Sequence, residues 1–600
     1  SDFCFLPGMS QVNPGKISKH EHTRLGQWFA TAICGNDILS STFYVSGIAI
    51  VYAGVLAPIV LAVIGVVLFF YKSVYTEVVE ALPTNGGAYN CLLNATTKNT
   101  AAIAGTTTIL SYIATAVISG ESAVTYFNSL VHIPIIPLTI VLLAVFAALV
   151  ISGIKDSAKV AFTIFVFHVA VLTTFVVFGV QYVLHGGHSY LMANLTSSVP
   201  LITRLGGIVP ALFFGFAASL LGVSGFESSA NFVEEQKRGV FRKTLRNMLV
   251  GVTIFNPLIA LIVLNVLPFS HILKAQDFLL AVAGNAMGGG IFQTIVVIDA
   301  VAVLAGAVLT AFVGVSGLIF RMTTDGCFPE ALSKENKKGS YPYIIIAFFL
   351  LCSSILLVTK GNLLSLAGVY TIAFLCVMTL FALGNLIMRE TRKDLKRTYH
   401  APIGFVIIAF FSTAAGIFGN IKLSPVNLEY FLTYFVPAII LVFGTIYIDY
   451  VLKYMMRLTQ NVPFVYKKVR QWYVDLTGEG TYVVFFHHLN RLHEILKYID
   501  TNEVGKHIYL VHCNNKEETR PDRNINKFVE LQEILPVLKR AGVYPEFKIE
   551  PVFMDEPFGP GVIEKAAKKF KVRKNRILIG SIHHEHPFDY DDLGGVRIIF

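Results

Sequence analysis

The stretch AICGNDILSSTFY, residues Ala32–Tyr44, lies inside the first long apolar segment and interrupts it with small and polar residues. A carboxylate, Asp37, stands near its middle. Five apolar segments later, GVSGFESS, residues Gly222–Ser229, repeats this pattern with Glu227 as the acid. An interrupted helix in lipid leaves backbone groups that only a cavity or a ligand can satisfy. Matching interruptions in two halves of a chain point to a substrate site near the membrane midplane.

The composition places these stretches in a membrane protein. Hydrophobic residues make up 54% of the 600 residues and charged residues 14%, whereas a soluble protein would carry about 25% charge. Apolar segments of this length predict helices that cross the bilayer. The chain is therefore predicted to be a polytopic α-helical membrane protein with twelve spans, near residues 26–50, 55–79, 99–127, 133–153, 158–184, 207–233, 244–268, 290–321, 342–358, 364–388, 403–420 and 429–455.

The net charge of +10 comes from Lys and Arg clustered in alternate loops between spans. This is the positive-inside pattern, so we expect a multi-pass protein of the plasma membrane with both termini in the cytoplasm and no nucleic-acid partner. The seven cysteines have no metal-binding spacing, and neither a metal nor another cofactor is expected. The sequon Asn194–Thr196 falls in a predicted outside loop, where it would accept a glycan in a eukaryotic host.

The character of the chain changes after the last span. Short strand patterns at 482–486, 507–512, 546–553 and 576–580 alternate with helical patterns at 488–500, 526–540 and 561–570, which predicts a cytoplasmic α/β domain. We divide the chain into an N-terminal segment 1–25, a transporter domain 26–455, a linker 456–475 and the α/β domain 476–600. A dense His/Asp cluster at 583–592 could hold a metal, although such spacing is more typical of a polar loop.

Further polar residues lie in the third and eighth spans. Ser111, Thr115, Ser119 and Ser122 follow one face of span 3, with Tyr112 at its border. This stripe fits a transport pathway and a packed helix seam equally well. Glu121 and Asp299 are further acids within spans, and an acid there is costly unless it is paired or functional. Both are candidates for proton coupling.

A second motif identifies a family. EALPTNGGAY, residues Glu80–Tyr89, resembles the E-x-x-P-x-x-G-G-x-Y signature of the amino acid–polyamine–organocation superfamily. Gly225-Phe226-Glu227, followed by Glu234, is similar to the span 6 pattern of that superfamily. The resemblance covers about residues 20–455 and implies the LeuT-like five-plus-five inverted repeat.

Within the superfamily the chain most resembles the KimA-type proton-coupled potassium importers. It is similar to their S-D-A-L-S-S-x-x-Y span 1, their D-Y-x-x-T-x-x-x-S span 3 and their T-G-x-E span 6, except that Ser111 replaces the span 3 acid. Their tails are α/β and form dimers. The tail here would be universal-stress-like but lacks a Gly-x-x-Gly phosphate cradle. The resemblance implies that the potassium path is lined by Asp37, Tyr44, Tyr112, Thr115, Ser119, Ser224 and Glu227.

We therefore predict a secondary active importer of potassium driven by protons, working by alternating access and forming a homodimer through its tail. A proton-coupled amino acid or polyamine permease of the same fold is the alternative, because a polyamine would also use buried acids and aromatic rings. A sensor that binds ligand without transport is a further alternative. We predict no enzyme activity and no catalytic residues, since the sequence contains no nucleophile elbow, phosphate loop or zinc motif.

Overall fold

The structure is a computed structural model. It describes residues 24–153, 158–185, 189–231, 233–234, 236–393, 395, 397–477, 480–486, 492–503, 505, 507–514, 522–540, 545–580, 593 and 596–599.

The membrane part is a bundle of helices around one continuous hydrophobic core. Aliphatic side chains remain exposed on its outer surface, as on α3, where Ile59, Val63 and Val66 recur at helical spacing. In chain order the helices are α1 Gln27–Ser40, α2 Thr42–Ala53, α3 Ala57–Ala81, α4 Gly87–Ala95, α5 Lys98–Asn128, α6 Ile135–Ile151, α7 Ala158–Leu184, α8 Leu191–Arg204, α9 Ile208–Ser219, α10 Phe241–Val266, α11 Phe269–Lys274, α12 Leu279–Thr324, α13 Pro342–Val358, α14 Leu363–Thr391, α15 Ile403–Leu423 and α16 Pro425–Ile446.

Within the described residues, nine helical stretches are long and apolar enough to cross a membrane, and α6 and α13 are shorter apolar helices. The first stretch, Gln27–Ala81, contains two of the predicted spans, and α12 runs through a non-helical residue, Gly289. The chain is thus an integral multi-pass membrane protein, while the count of twelve spans remains a prediction.

The two interrupted spans differ in how far they unwind. Span 6 loses α-helical geometry after α9, passing through a 3-10 turn and an extended residue, Ser224, into a second 3-10 turn at Glu227–Asn231. Span 1 is interrupted only at Ser41, which keeps helical dihedral angles. At this small break the Ser40 and Ser41 hydroxyls donate to the carbonyls of Asp37 and Ile38, a contact that bends helices.

The tail contains a five-stranded parallel sheet in the order β3-β2-β1-β4-β5. Apolar clusters cover both faces of the sheet. The fifth strand lies beyond the strand patterns found in the sequence, and the stretch predicted as a linker is occupied by α17 and α18. The elements are α17 Ile448–Thr459, α18 Pro463–Thr477, β1 Thr481–Phe485, α19 Leu492–Asn502, β2 His507–Cys513, α20 Asp522–Arg540, β3 Lys548–Met554, α21 Pro560–Phe570, β4 Ile577–Gly580 and β5 Arg597–Ile599.

The proposed glycosylation site is wrong. Asn194 is buried, and its amide nitrogen donates to the carbonyls of Leu264 and Leu267 at 2.7 and 2.8 Å. Its amide oxygen accepts from the backbone N–H of Phe269. The side chain therefore holds the end of α10 and the start of α11 together, and a glycan would break these contacts.

Candidate substrate site between the two interrupted spans

The interruptions in spans 1 and 6 face each other and are joined by hydrogen bonds. The Ser41 hydroxyl, whose single proton is shared with the Ile38 carbonyl, lies 3.0 Å from the Gly222 carbonyl oxygen. On α10, Asn256 donates to the same carbonyl at 3.3 Å and accepts from the Thr42 hydroxyl at 2.7 Å. Side chains thus satisfy a carbonyl that the unwound helix leaves free, as burial in lipid requires.

Gly225 lets the span 6 backbone approach Asp37. Its φ of +92° lies in the left-handed region that favours glycine. A Cβ at this position would lie 2.9 Å from the Asp37 carboxyl carbon and 2.8 Å from the Ile38 nitrogen. A larger residue would push the two interruptions apart, so the glycine of the Gly-Phe-Glu motif sets their spacing.

Both predicted acids line this junction. Asp37 is 6% exposed and Glu227 is 8% exposed. The Ser228 hydroxyl donates to Asp37 at 2.7 Å, and the backbone N–H of Gly225 donates to Glu227 at 2.9 Å. The two carboxyl groups are close enough to interact electrostatically. The structure therefore brings together one acid from each interrupted span, with neutral groups donating to them.

The predicted tyrosines and Ser224 lie around the acids. Tyr44 and Tyr112 are buried and within electrostatic reach of both carboxyl groups. The Tyr112 hydroxyl accepts from Asn231, at the end of the unwound part of span 6. Ser224 is buried within the unwound segment itself.

Span 3 adds Thr115 and reveals a residue that the sequence did not suggest. The Thr115 hydroxyl donates to the Tyr370 hydroxyl on α14 at 2.6 Å. Tyr370 is buried and interacts electrostatically with both acids and with Tyr44, so α14 also lines the site. In sequence it is one aromatic residue in an apolar span, which carries no functional signal. Ser119 is buried one turn beyond Thr115 on the same helix.

The structure does not bring the two proton-coupling candidates into this group. Glu121 is buried further along α5, where it accepts from Thr125 at 3.0 Å and lies within electrostatic reach of Asp277. Asp299 is fully buried, and its carboxylate lies 2.8 Å from Nδ1 of His168 on α7. His168 was not predicted from the sequence, although a lone histidine in an apolar span and an acid in another could have signalled a pair.

The signature motif contacts span 6 just beyond the site and also contacts the end of α12. The Asn85 side chain accepts from the backbone N–H groups of Val233 and Glu234, at 2.8 and 3.1 Å, just beyond the unwound part of span 6. At the other end of the motif, the Tyr89 hydroxyl donates to Asp325, at the end of α12, at 2.8 Å. The motif therefore ties the α3–α4 connection to spans 6 and 8.

The tail meets the membrane part through buried charges. Arg597, the first residue of β5, pairs with Glu503 within the tail, and its Nε lies 3.7 Å from Asp325. Lys98, the first residue of α5, lies 3.5 Å from Glu503. We call Lys98, Asp325, Glu503 and Arg597 the tail interface. Its members are 1–8% exposed, so two acids and two cations share one dry contact.

The His/Asp cluster at 583–592 lies outside the described residues. In the part of the chain that is described, no group of three His, Cys, Asp or Glu side chains is arranged to hold a metal ion.

The sequence comparisons agree with this architecture. The family model described as "Amino acid permease" matches residues 25–445. The branched-chain amino acid permease BcaP of Bacillus subtilis (strain 168) is 24% identical over 443 residues, which are 69% of this chain and 89% of that protein. The potassium transporter KimA of the same organism is 24% identical over 363 residues, or 58% of this chain and 59% of its own length. The chain therefore belongs to the amino acid permease family of the amino acid–polyamine–organocation superfamily.

Proposed function

We propose that this transporter imports a monovalent cation, most readily potassium, together with protons. Asp37 and Glu227 would bind the cation from opposite sides, and Tyr44, Tyr112, Thr115, Ser119 and Ser224 would supply neutral oxygens. The observation that carries the proposal is that two buried acids lie against Gly225. Its backbone N–H donates to Glu227 at 2.9 Å, and a Cβ at this position would lie 2.9 Å from the Asp37 carboxyl carbon. Two like charges in a site shielded from water repel, and a bound cation or a proton relieves that repulsion.

The same two acids favour a substrate that is positively charged at this point. A substrate carboxylate placed between Asp37 and Glu227 would add a third negative charge to a buried site, at a high electrostatic cost. A cation is instead attracted there, and hydroxyl oxygens around it can replace part of its water shell. These features favour a cation over an anionic group at this point.

An amino acid permease is the second candidate. BcaP matches over 89% of its length, a larger share than the 59% of KimA. The ammonium group of an amino acid would bind the two acids, and its carboxylate would lie away from them. A polyamine would use the same acids together with the rings of Tyr44, Tyr112 and Phe226.

Flux into liposomes that contain the purified chain separates these candidates. Uptake of radioactive rubidium, as a potassium tracer, is measured with and without an inward proton gradient, in parallel with leucine and spermidine. Gradient-stimulated rubidium uptake that is lost in Asp37→Asn supports the proposal. Uptake of leucine or spermidine, with no rubidium flux, would move the protein to the second candidate.

We also propose that the tail is cytoplasmic and regulates transport or joins two copies of the chain. The tail interface supports regulation, because it connects β5 to the ends of α5 and α12, which both contribute to the bundle around the site. Truncation after Lys468 is expected to change the oligomeric state or the flux. A truncated protein that matches the full chain in light scattering and in rubidium uptake would contradict this role.

A further inference from the structure

A buried histidine and aspartate connect three helices at the end of α1. His168 and Asp299 are both 0% exposed. Nδ1 of His168 lies 2.8 Å from the Asp299 carboxylate, and its Nε2 lies 3.3 Å from the Leu39 carbonyl oxygen. Leu39 is one residue before the end of α1. The pair therefore joins α7 and α12 to the helix end that carries Asp37.

The number of protons on the ring decides how many of these contacts are hydrogen bonds. A neutral imidazole has one N–H group, whereas the imidazolium ion has two. Here both ring nitrogens face an acceptor oxygen, so only the protonated ring can donate to the Asp299 carboxylate and the Leu39 carbonyl together. Loss of the proton leaves a buried acceptor without its donor, which is unfavourable.

The surroundings of the ring make Asp299 its electrostatic partner. Asp299 comes from α12, the Leu39 carbonyl from α1, and the Phe43 ring from α2 at 5.5 Å. Asp37, the acid of α1, accepts a hydrogen bond from the Ser228 hydroxyl in span 6. The second Asp299 oxygen, Oδ1, has no hydrogen-bond partner within the described residues, so it can also take a proton.

We propose that His168 and Asp299 form a proton-binding latch that controls the interrupted span 1. The protonated pair holds the end of α1 against α7 and α12, and loss of the proton releases one of the contacts. Protons would thereby set when the helix that carries Asp37 can move. The inference rests on the proposed function only in that transport is proton-coupled, since it applies equally to a cation or an amino acid substrate.

The latch is tested with His168→Gln and Asp299→Asn in liposomes. His185→Gln is the matched control, because His185 lies just beyond the end of the same helix, is exposed and contacts the Gln181 carbonyl one turn back. Rubidium uptake is measured under an inward gradient of about two pH units, which is about a 100-fold difference in proton concentration across the membrane. Rubidium exchange is measured at equal pH on both sides.

The wild type and the His185→Gln variant are expected to be stimulated by the gradient. His168→Gln and Asp299→Asn are expected to exchange rubidium at equal pH but to lose the stimulation. The glutamine binds no proton, and the asparagine leaves the protonated His168 ring buried without its counter-ion. Stimulation of His168→Gln equal to that of the wild type would overturn the latch. Variants that cannot exchange rubidium at all would also contradict it, since that result indicates a binding role.

The same variants separate the latch from the proposed substrate. If the wild type transports leucine and no rubidium, the potassium proposal fails. Leucine then replaces rubidium in both assays, and the latch still predicts exchange without gradient stimulation in His168→Gln and Asp299→Asn. Retained stimulation of leucine uptake in these variants would overturn the latch by itself.

Discussion

The candidate substrate site and the tail interface each bury two acids, but the groups that contact these acids differ. In the site, a serine hydroxyl and a backbone N–H donate to Asp37 and Glu227. At the tail interface, Arg597 and Lys98 lie against Glu503, and Arg597 also approaches Asp325. Protein cations thus balance the acids at the interface, whereas neutral groups donate to the acids of the candidate site, where we propose that a mobile cation binds.

This difference indicates that the partners of a buried acid help to distinguish a structural ion pair from a candidate ligand-binding group. A carboxylate paired with arginine holds two parts of the fold together, and removal of either partner leaves a costly buried charge. A carboxylate that accepts from neutral donors keeps its charge available for a ligand. The two regions should therefore respond in opposite ways to neutral substitutions.

The largest expected effect is in the site. Asp37→Asn or Glu227→Gln removes a charge that would contact the cation, and we expect rubidium uptake to fall about 100-fold or more. The melting temperature should stay the same or rise, because one of two repelling buried charges has gone. Uptake and thermal unfolding are measured on the same preparations.

Glu429→Gln is the control for these variants, since Glu429 is exposed on α16 and should be neutral in both assays. Wild-type uptake in both site variants would remove the distinction between the two regions.

The next effect is at the tail interface. Arg597→Ala removes the cation that Glu503 and Asp325 share and leaves only Lys98 near Glu503 and Arg321 near Asp325. We expect a loss of about 3–5 kcal/mol in the stability of the docked tail. Limited proteolysis should cut the variant near the tail faster than the wild type. Rubidium binding to the membrane part should persist.

Lys565→Ala is the matched control, because Lys565 pairs with Glu556 on the surface of the tail, where both side chains are exposed. If Arg597→Ala abolished rubidium binding without loosening the tail, the interface would belong to the transport machinery.

The interface should also depend on pH. Burial disfavours the charged form of Glu503, but Arg597 and Lys98 outweigh it and lower the pKa of this carboxyl to about 2. A lowered pKa in the folded state stabilises the docked tail above the pKa of the unfolded chain, and this contribution is lost as the pH falls from about 4.5 towards 2. Proteolysis of the tail should therefore accelerate across that window.

Glu503→Gln removes the carboxyl group at this position, so the acceleration of proteolysis between about pH 4.5 and 2 should be weaker in this variant. An identical pH profile in the wild type and the variant would show that another group governs docking.

The smallest effect concerns Tyr370. Tyr370→Phe removes the hydroxyl that accepts from Thr115, and we expect rubidium affinity to fall about threefold to tenfold. Tyr434→Phe is the control, because its hydroxyl bonds to Ser354 away from the two acids. Equal affinities in the two variants would indicate that α14 does not contribute to cation binding.

The sequence predicts those parts of the candidate site in which an acid or a glycine interrupts an apolar span. Asp37, Gly225 and Glu227 interrupt apolar spans, and such interruptions are rare enough in lipid to be read from the sequence alone. The signature motif likewise identified the superfamily from local spacing. The membrane character followed from composition and length.

The remaining contacts depend on how distant helices pack. Tyr370 looks ordinary in its own span, and His168, although unusual there, does not identify its partner. Only the packing of the bundle places them beside Thr115 and Asp299. The small extent of the break at Ser41 could not be foreseen either, since the sequence does not show that this residue keeps helical dihedral angles. Asn194 matched a sequon, yet its amide is used to hold α10 and α11 together.

The most direct measurement is equilibrium binding of radioactive rubidium to the purified full-length chain, with potassium, leucine and spermidine as competitors. We expect saturable rubidium binding that potassium displaces and leucine does not. Asp37→Asn and Glu227→Gln should each abolish this binding, and Arg597→Ala should retain it. Binding of leucine without rubidium, or unchanged rubidium binding in both acid variants, would contradict the claim that the two acids hold a cation.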